Sequence, residues 1–402
     1  MVIHVIQHGL VDLHSHYFNE TLAWRQTLHD AGESFRIYSH VRLSPALVGE
    51  TGAIPAFRLA PDSQMEPAGS YSRLPDFLDG AEIVADDLTR VLREPLSPAD
   101  IVVVPYATER DLFAVAQFLA RTKPERPPRF GFIVHGPDLE WTIGPDRRLV
   151  QGDLSYWHYA GKRLALETQS RPPFIGARDE NLRAMLANLL RMDIRHVPMS
   201  TFPQALPDGV AKDVDLGMVG ELRLERGSKG LGDLFIALAS RHPRARFLLQ
   251  VATADQQAAI GAAAATAGVS GRIELVVGNL PVEAFLRNVA RCRLIVLPYV
   301  ASRYRMRSSG VLSVATGLGI PVVVPAHTWL SDRIAAGDAS GYVFDQINAD
   351  VLDRLLTRPD AERVRLEQFA AELAEPWRRR HSTATVLGLI EAFFREQEER
   401  SG

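Results

Sequence analysis

The stretch LPYVASRYRMRSSGVLSVATGLGIPVVVPAHTWLSDRI, residues 297–334, carries the clearest indication of fold in this sequence. It reads as the end of an apolar strand, a polar loop, a helix from about Ser309 to Leu318, and a second apolar strand, Pro321–Val324. Strands that alternate with helices in this way are typical of a parallel sheet with helices on its faces. The same alternation continues on both sides of this stretch.

The second half of the chain predicts a complete doubly wound α/β unit. Its expected strands are Leu216–Val219, Arg246–Val251, Arg272–Val277, Leu294–Leu297 and Pro321–Val324. Its other expected helices are Gly232–Ser240, Ala254–Ala267, Pro281–Ala290 and Ala349–Leu356.

The first half shows the same alternation less regularly. Its expected strands are Val2–Gln7, Ile101–Val104 and Phe130–Val134, and its expected helices are Thr21–Ala31 and Asp111–Arg121. The segment Leu43–Ser97 is rich in Pro, Gly and Ser, and it is predicted to be an irregular insertion.

Prolines mark the expected domain boundaries. Pro198, Pro203 and Pro207 indicate a linker, so we predict a first domain over residues 1–205 and a second over residues 206–375. After a turn at Pro376, residues 376–402 predict a long amphipathic helix that packs back on the first domain.

Composition excludes several classes of protein. A chain of 402 residues has room for two domains, and a formal net charge of -3 gives no general attraction to nucleic acid. The single cysteine, Cys292, lies in an apolar stretch and excludes a disulfide scaffold. The sequence has no apolar run of membrane-spanning length and no signal-peptide pattern, so we expect a cytoplasmic protein. Peripheral contact with the inner face of a membrane stays open.

Two polar loops at strand ends indicate a phosphate site. The loop after Leu297 contains Tyr304 and Ser308, and Ser309 is placed to cap the next helix, whose first residue is Gly310. The loop VGELRLERGSKG follows the strand Leu216–Val219, and its cations are Arg223, Arg226 and Lys229. Of the two loops, the one after Leu297 is by itself equally consistent with an ordinary capped turn. Together they indicate a polyphosphate ligand.

These two loops carry a family resemblance. Residues 214–345 resemble the donor-binding domain of family 4 glycosyltransferases, which have the GT-B fold of two Rossmann-like domains facing a central cleft. The matching elements are SKG, with Lys229 and Gly230, and SSGVLSVATGLGIPVVV, with Ser309, Gly310 and Gly319. The resemblance implies that Lys229 holds the donor diphosphate and that Ser309 and the Gly310 backbone contact its phosphate or sugar.

The sequence departs from the family pattern at three positions. The arginine that family members carry after the first-loop glycine is replaced by Glu221, which leaves Arg223 or Arg226 for that role. The two family glutamates fall at Met306 and Val314, neither of which can bind a hydroxyl through a carboxylate. A degenerate GT-B module with weak or no catalysis is therefore an alternative.

A histidine-rich segment follows the first strand. In HGLVDLHSHYF, the resemblance places His14, His16 and Tyr17 on the acceptor side, with Gly9 allowing close approach. The motif DLHSH, which contains Asp12, also resembles the first metal motif of amidohydrolases and related phosphoesterases. A metal-dependent hydrolase is thus a second alternative, although later strands offer no second ligand cluster and an eight-stranded barrel would be interrupted early.

His135 is the other first-domain candidate, because it ends an apolar strand and precedes Gly136. A loop histidine bound to a nearby carbonyl explains it equally well, and the resemblance favours a catalytic role near the transferred sugar. Asp213 and Asp215 form an Asp-x-Asp pair before a strand and are interpreted as the solvated start of that strand, so no metal is assigned.

The resemblance implies a retaining, metal-independent hexosyltransferase-like enzyme. Its co-substrate is a nucleotide-diphosphate sugar, and it needs no further cofactor. Its acceptor hydroxyl belongs to a carbohydrate, a lipid-linked sugar or a protein, as in cell-surface polysaccharide or glycoconjugate synthesis. Lys229, with Arg223 or Arg226 and the helix start at Ser309, would stabilise the departing diphosphate.

Overall fold

A computed structural model describes residues 1–12, 16–60, 74–93, 96–135, 142–143, 149–150, 154–200, 209–220, 226–227 and 230–401. The chain divides into two compact units. The first unit is Met1–Pro203 together with His381–Gly402, and the second unit is Gln204–Arg380.

The first unit contains nine strands and seven helices within its described residues. Up to residue 135 they are β1 (Ile3–Gln7), α1 (His16–Asp30), β2 (Phe35–His40), α2 (Pro45–Thr51), β3 (Ile54–Phe57), α3 (Leu74–Val91), β4 (Ile101–Val104), α4 (Glu109–Thr122) and β5 (Arg129–Val134). Beyond it they are β6 (Thr142–Ile143), β7 (Leu149–Val150), α5 (Ser155–Glu167), β8 (Phe174–Ala177), α6 (Glu180–Leu190) and β9 (Ile194–His196), with the C-terminal helix described below.

The second unit follows the predicted alternation closely. Its elements are β10 (Val214–Met218), α7 (Leu231–Arg241), β11 (Phe247–Val251), α8 (Ala254–Thr266), β12 (Ile273–Val277), α9 (Val282–Arg291), β13 (Cys292–Val296), α10 (Ala301–Tyr304), α11 (Gly310–Gly317), β14 (Val322–Pro325), α12 (Trp329–Ala335), β15 (Gly341–Phe344), α13 (Ala349–Leu356) and α14 (Asp360–Arg380). The last helix of the chain, α15 (Thr383–Ser401), belongs to the first unit.

Both large sheets have one topology. The first sheet has the order β3-β2-β1-β4-β5-β8-β9, and the second has the order β12-β11-β10-β13-β14-β15. Every strand pair in the two sheets is parallel. The second sheet has the 3-2-1-4-5-6 order of the dinucleotide-binding fold, and the first adds one strand to it. The predicted pair of Rossmann-like units is confirmed, and the first sheet is open rather than a closed barrel.

The prediction of an irregular insertion at Leu43–Ser97 is wrong. That segment contains α2, β3 and the 18-residue helix α3. Helix α3 buries one face through Phe77, Ala81, Val84 and Leu88. This spacing is helical, but the Pro- and Gly-rich residues in front of it dominated the composition of the segment.

The prediction of a turn at Pro376 is also wrong, because Pro376 lies inside α14. A proline in a helix removes a backbone hydrogen bond without necessarily ending the helix. Here contacts to α11 hold the last turn: Trp377 Nε1 donates to Ser313 Oγ at 3.3 Å, and Arg378 Nη1 donates to the carbonyl oxygen of Gly317 at 2.6 Å.

The C-terminal helix returns to the first unit, as predicted. Ile390 of α15 packs at Gly131 of β5, and Phe393 makes an edge contact with Phe174 of β8 at a centroid distance of 5.5 Å. Arg195 at β9 forms an ion pair with Glu396 at 2.9 Å. Helix α15 therefore completes the core of the first unit.

The single cysteine is a core residue of the second unit. Cys292 opens β13 and is fully buried, and a methyl group on Gly217 of the adjacent strand β10 would come within 2.2 Å of its Sγ atom. Burial raises the pKa of this thiol well above its usual value.

Candidate functional site

The carboxyl ends of β10 and β13 meet at the centre of the second sheet. These two strands are neighbours, and the chain leaves them in opposite directions to β11 and β14. In open parallel sheets a ligand binds beyond the strand ends at this switch point. The residues that follow the two strands are the loops predicted to bind phosphate.

Two glycines bring these loops together. Gly227 has a φ of +70°, and a methyl group on it would lie 1.9 Å from the carbonyl oxygen of Pro298, which follows β13. Gly220 follows β10 with a φ of +107°, and its amide donates to Gln250 Oε1 at 2.7 Å. A methyl group on Gly220 would lie 3.2 Å from Nη1 of Arg226. The guanidinium of Arg226 therefore lies at the carboxyl end of β10.

Aromatic residues line the other loop. The rings of Tyr299 and Tyr304 are 4.2 Å apart, and the guanidinium of Arg307 lies 5.8 Å from the ring centre of Tyr304. Burial raises the pKa of Tyr299 to about 12, against the opposing positive charges of Arg226 and Arg307. Tyr299 is therefore a neutral phenol beside two cations.

Helix α11 begins as predicted. Ser309 is its N-cap, and its Oγ accepts the amide of Leu312 at 3.2 Å. This hydroxyl is buried and engaged by the helix, so the groups that the helix start offers to an anion are the backbone amides of Gly310 and Val311. Ser308 lies half-buried before the cap.

Part of the predicted donor site lies outside the described residues. These positions are Arg223 and Lys229, together with Glu221. The two positions of the family glutamates are described: Val314 is buried on α11, and Met306 is half-buried in the loop before it.

His327 is a further residue at this edge, and sequence reasoning gave it no role in the donor site. It follows β14, is exposed, and has a φ of 61°. Left-handed backbone is rare for a residue with a Cβ and clusters at functional sites. No residue pattern around His327 indicates this backbone conformation, because Thr328 caps the next helix in an ordinary way.

Asp213 and Asp215 lie at the opposite edge of the second sheet. Asp213 binds Arg291 at 2.9 Å, and the hydrogen bonds from Arg291 hold the pKa of Asp213 below its usual value. Asp215 accepts the amide of Arg246 at 2.9 Å. Across the described part of the chain, no group of three His, Cys, Asp or Glu side chains could hold a metal ion.

The first unit has its own switch point, between β1 and β4. Gly9 was predicted to allow close approach on the acceptor side, and the space beside it holds the ring of Tyr17, which would lie 2.4 Å from a methyl group on that glycine. His14 lies outside the described residues, and His16 begins α1. Tyr17 itself is buried and makes an edge contact with Tyr106 at 4.7 Å.

His135 follows β5 and stacks on Tyr106. The two ring centres are 3.5 Å apart with an angle of 15° between the planes. The Nε2 atom of His135 is 3.0 Å from the carbonyl oxygen of Pro105, which fixes this nitrogen as an N–H donor. The carbonyl contact weighed as an alternative for His135 is thus present, and it orients the ring.

A buried ion pair adjoins these rings. Arg178 follows β8 and binds Glu20 of α1 at 2.5 Å, and both side chains are more than nine-tenths buried. The Ser200 hydroxyl donates to the same carboxylate at 3.2 Å. Sequence reasoning missed both residues, since they are 158 positions apart. The one available indication was an arginine directly after an apolar strand.

A third cluster fixes the chain beyond β3. Three consecutive backbone carbonyls each contact a different side chain. The carbonyl oxygen of Arg58 lies 3.1 Å from His40 Nε2, that of Leu59 lies 3.0 Å from His8 Nδ1, and that of Ala60 accepts a hydrogen bond from Arg110. The other ring nitrogen of His8 lies 3.3 Å from Oδ1 of Asp111. Burial opposes ionisation of Asp111, but the charge of His8 holds the pKa of this carboxyl below its usual value.

The two units, each with an open parallel sheet in the dinucleotide-binding strand order, agree with the GT-B fold expected from the sequence. No protein-family model matches this sequence, and no curated protein matches it significantly. Within the described residues, no helix is long and apolar enough to cross a bilayer.

Solved structures match along the whole chain. Sucrose-phosphate synthase from Thermosynechococcus elongatus matches with a TM-score of 0.63 and 13% identity over 100% of both chains. HepE from Anabaena, in complex with UDP-glucose, matches with a TM-score of 0.62 and 12% identity over 98% of this chain and 100% of that one. A glycosyltransferase from Rickettsia africae ESF-5 matches with a TM-score of 0.61 and 11% identity over 98% of both chains. The predicted GT-B architecture is confirmed.

Proposed function

We propose that this protein is a glycosyltransferase that moves a sugar from a nucleotide-diphosphate sugar to an acceptor hydroxyl. The observation that carries the proposal is the meeting of two strand-end loops at the switch point of the second sheet. There a methyl group on Gly220 would lie 3.2 Å from Nη1 of Arg226 and 3.1 Å from Cγ2 of Val311, which places a cation near the backbone amides that begin α11.

The donor diphosphate binds at this edge of the second unit. Arg226 and the amides of Gly310 and Val311 neutralise charge, and the buried ring of Tyr304 lies next to Arg307. Lys229 and Arg223 supply further cations, as the family resemblance implies. The full-length likeness to HepE, whose structure contains UDP-glucose, makes a uridine nucleotide the first ligand to test.

The reaction retains anomeric configuration and uses no metal ion. As the glycosidic bond breaks, negative charge develops on the leaving diphosphate, and preorganised cations and amides stabilise it. His135 of the first unit acts as a catalytic residue that contacts the transferred sugar, and Tyr17 with His14 and His16 forms the acceptor side. The acceptor is a carbohydrate, a lipid-linked sugar or a protein, and the enzyme works in the cytoplasm or at the inner face of a membrane.

Calorimetric titration tests the donor site. We expect one of UDP, GDP, ADP and dTDP to bind with or without EDTA. Arg226→Ala and Lys229→Ala should each weaken that binding about tenfold or more, because each removes a charge-assisted hydrogen bond to phosphate. Arg287→Ala is the matched control, since Arg287 is exposed on α9 and pairs only with Glu283 of the same helix in the described structure.

Two other results would change the assignment. Absence of binding to all four nucleotides would contradict the transferase and favour a degenerate GT-B module. Binding that EDTA abolishes would contradict metal independence, and bound metal lost in His14→Ala would instead favour a hydrolase that uses Asp12, His14 and His16.

A further inference from the structure

Three neighbouring strands of the first sheet end in side chains that contact one another. Tyr106 follows β4, His135 follows β5 and Arg178 follows β8, and these strands are adjacent in the order β4-β5-β8. The register pairs Val134 with Ala177, so His135 and Arg178 leave the sheet side by side. The ring of Tyr106 contacts both of them.

The stack of Tyr106 on His135 is unusually close. Two neutral aromatic rings prefer an offset or edge arrangement with centroids 4.5–7 Å apart, because their quadrupoles repel face to face. Here the centroids are 3.5 Å apart and the planes nearly parallel. Such an arrangement persists only where the surroundings hold both rings in place.

Neighbouring groups contact both rings and hold them in place. The hydrogen bond to the carbonyl of Pro105, the residue before Tyr106, ties the imidazole to the same loop that carries its stacking partner. Tyr106 is in turn bounded by the edge of Tyr17 at 4.7 Å and by the guanidinium of Arg178, 5.7 Å from its ring centre.

Arg178 is itself held by a buried ion pair with Glu20, whose burial costs desolvation free energy. Its partner Glu20 is buried, and desolvation raises the pKa of that carboxyl against the attraction of Arg178. A buried ion pair commonly stabilises a fold no better than apolar residues of the same volume would. The Glu20–Arg178 pair at the strand ends is therefore better explained by its orientation of Tyr106 than by a contribution to the stability of the fold.

We propose that Tyr106 is a positioning residue that fixes the plane of the His135 imidazole, and that the Glu20–Arg178 pair holds Tyr106 in place. The inference rests on the proposed function, in which His135 contacts the transferred sugar. It adds three residues to that site, none of which the sequence motifs contain.

The test compares Tyr106→Phe with Tyr106→Leu. The phenylalanine variant keeps the ring, whereas the leucine variant keeps apolar volume without it. In wild type, the imidazole C–H resonances of His135, assigned with His135→Asn, should be displaced by the ring current of Tyr106. We expect Tyr106→Phe to retain that displacement and Tyr106→Leu to lose it.

Kinetics supply the second readout. Misplacing a reacting group by about 1 Å can cost about 10²-fold in rate, so we expect Tyr106→Leu to lower kcat by about 10- to 100-fold. The KM for donor and the Kd for nucleotide diphosphate should stay within about twofold, since that site belongs to the second unit. Tyr106→Phe should restore kcat. The neutral pair Glu20→Gln with Arg178→Met, which leaves no buried charge unpaired, should resemble Tyr106→Leu in both readouts.

The outcomes separate this inference from the function on which it rests. Full kcat in Tyr106→Leu, or unchanged His135 resonances, would overturn the positioning role even if wild type transfers sugar. A wild-type chain without nucleotide binding would overturn the proposed function, and the resonances would still decide whether Tyr106 orients His135.

Discussion

At the scale of single residues, the candidate donor site depends on glycines as much as on charged side chains. Gly227 has a positive φ and lies against the backbone of the neighbouring loop, so no other residue fits there without moving that loop. The position of Arg226 at a strand end was predictable, because it stands in a short motif after a strand, whereas Lys229 lies outside the described residues. The Glu20–Arg178 pair was not, because no local pattern joins a helix residue to a strand end 158 positions away.

Gly227→Ala should abolish nucleotide binding. A methyl group 1.9 Å from the Pro298 carbonyl oxygen must displace one of the two loops. Gly230→Ala is the matched control, because Gly230 has a similar φ of +76° but nothing within 4 Å of the added methyl. Both variants carry backbone strain of about 1 kcal/mol, so the difference between them isolates the clash. Calorimetry measures it, and equal affinities in the two variants would contradict a donor site at this contact.

At the scale of elements, the sequence predicted five of the six strands of the second sheet, because each of the five is a short apolar run bounded by a helix, and it missed β15. Helix α3 and the run from α5 to β9 were missed. The apolar face of α3 follows a stretch dominated by turn-forming residues. Pro376 predicted a turn, but contacts with α11 hold the chain in helix α14 at that position. Composition and proline content are local quantities, whereas these elements are fixed by tertiary contacts.

One of the side chains that contact the three carbonyls beyond β3, the imidazole of His40, makes its hydrogen bonds in a pH-dependent way. His40 donates to Arg58 and accepts the amide of Arg42, so only its neutral ring satisfies both bonds. Burial lowers the pKa of His40 below 6.5, with Arg42 and His8 acting in the same direction and Asp87 opposing them. Below pH 6.5 the unfolded chain therefore binds more protons than the folded one at this residue, and the free energy of unfolding falls as pH decreases.

The measurement is urea unfolding at pH 7 and pH 5. His40→Gln should reduce the loss of stability between these two values, because it removes the group that titrates. His29→Gln, at an exposed histidine of α1, should leave the loss unchanged. A pH dependence in His40→Gln equal to that of wild type would contradict this account.

At the scale of the whole molecule, the chain folds as two units with separate cores. The alternation of strands and helices predicted both of them, and the amphipathic C-terminal segment predicted the return of α15. Both units share one strand order, to which the first unit adds a strand. This shared strand order explains why a sequence with 13% identity or less to the three solved structures compared can still match them along its whole length. The pattern of apolar residues specifies the architecture, and many sequences satisfy the same pattern.

Separate cores predict separate responses to mutation. Phe393→Ala in α15 should destabilise the first unit by about 3–5 kcal/mol, and Phe235→Ala should do the same to the second unit. In scanning calorimetry, nucleotide should raise the unfolding temperature of the second unit alone, because ligand stabilises only the unit that binds it. Phe393→Ala should retain that upward shift. A nucleotide shift lost in Phe393→Ala would show that the first unit is needed for binding.

The burial of Cys292 makes the chain suitable for site-specific labelling. A thiol that is fully enclosed and held protonated reacts slowly with maleimides, so Cys292 of the native chain should stay unlabelled. Cysteines introduced on the surface, one in each unit, would accept fluorophores without replacing the native residue. Energy transfer between the two dyes, recorded as nucleotide and acceptor are added, would then report the distance between the labelled positions in a molecule whose core is unaltered.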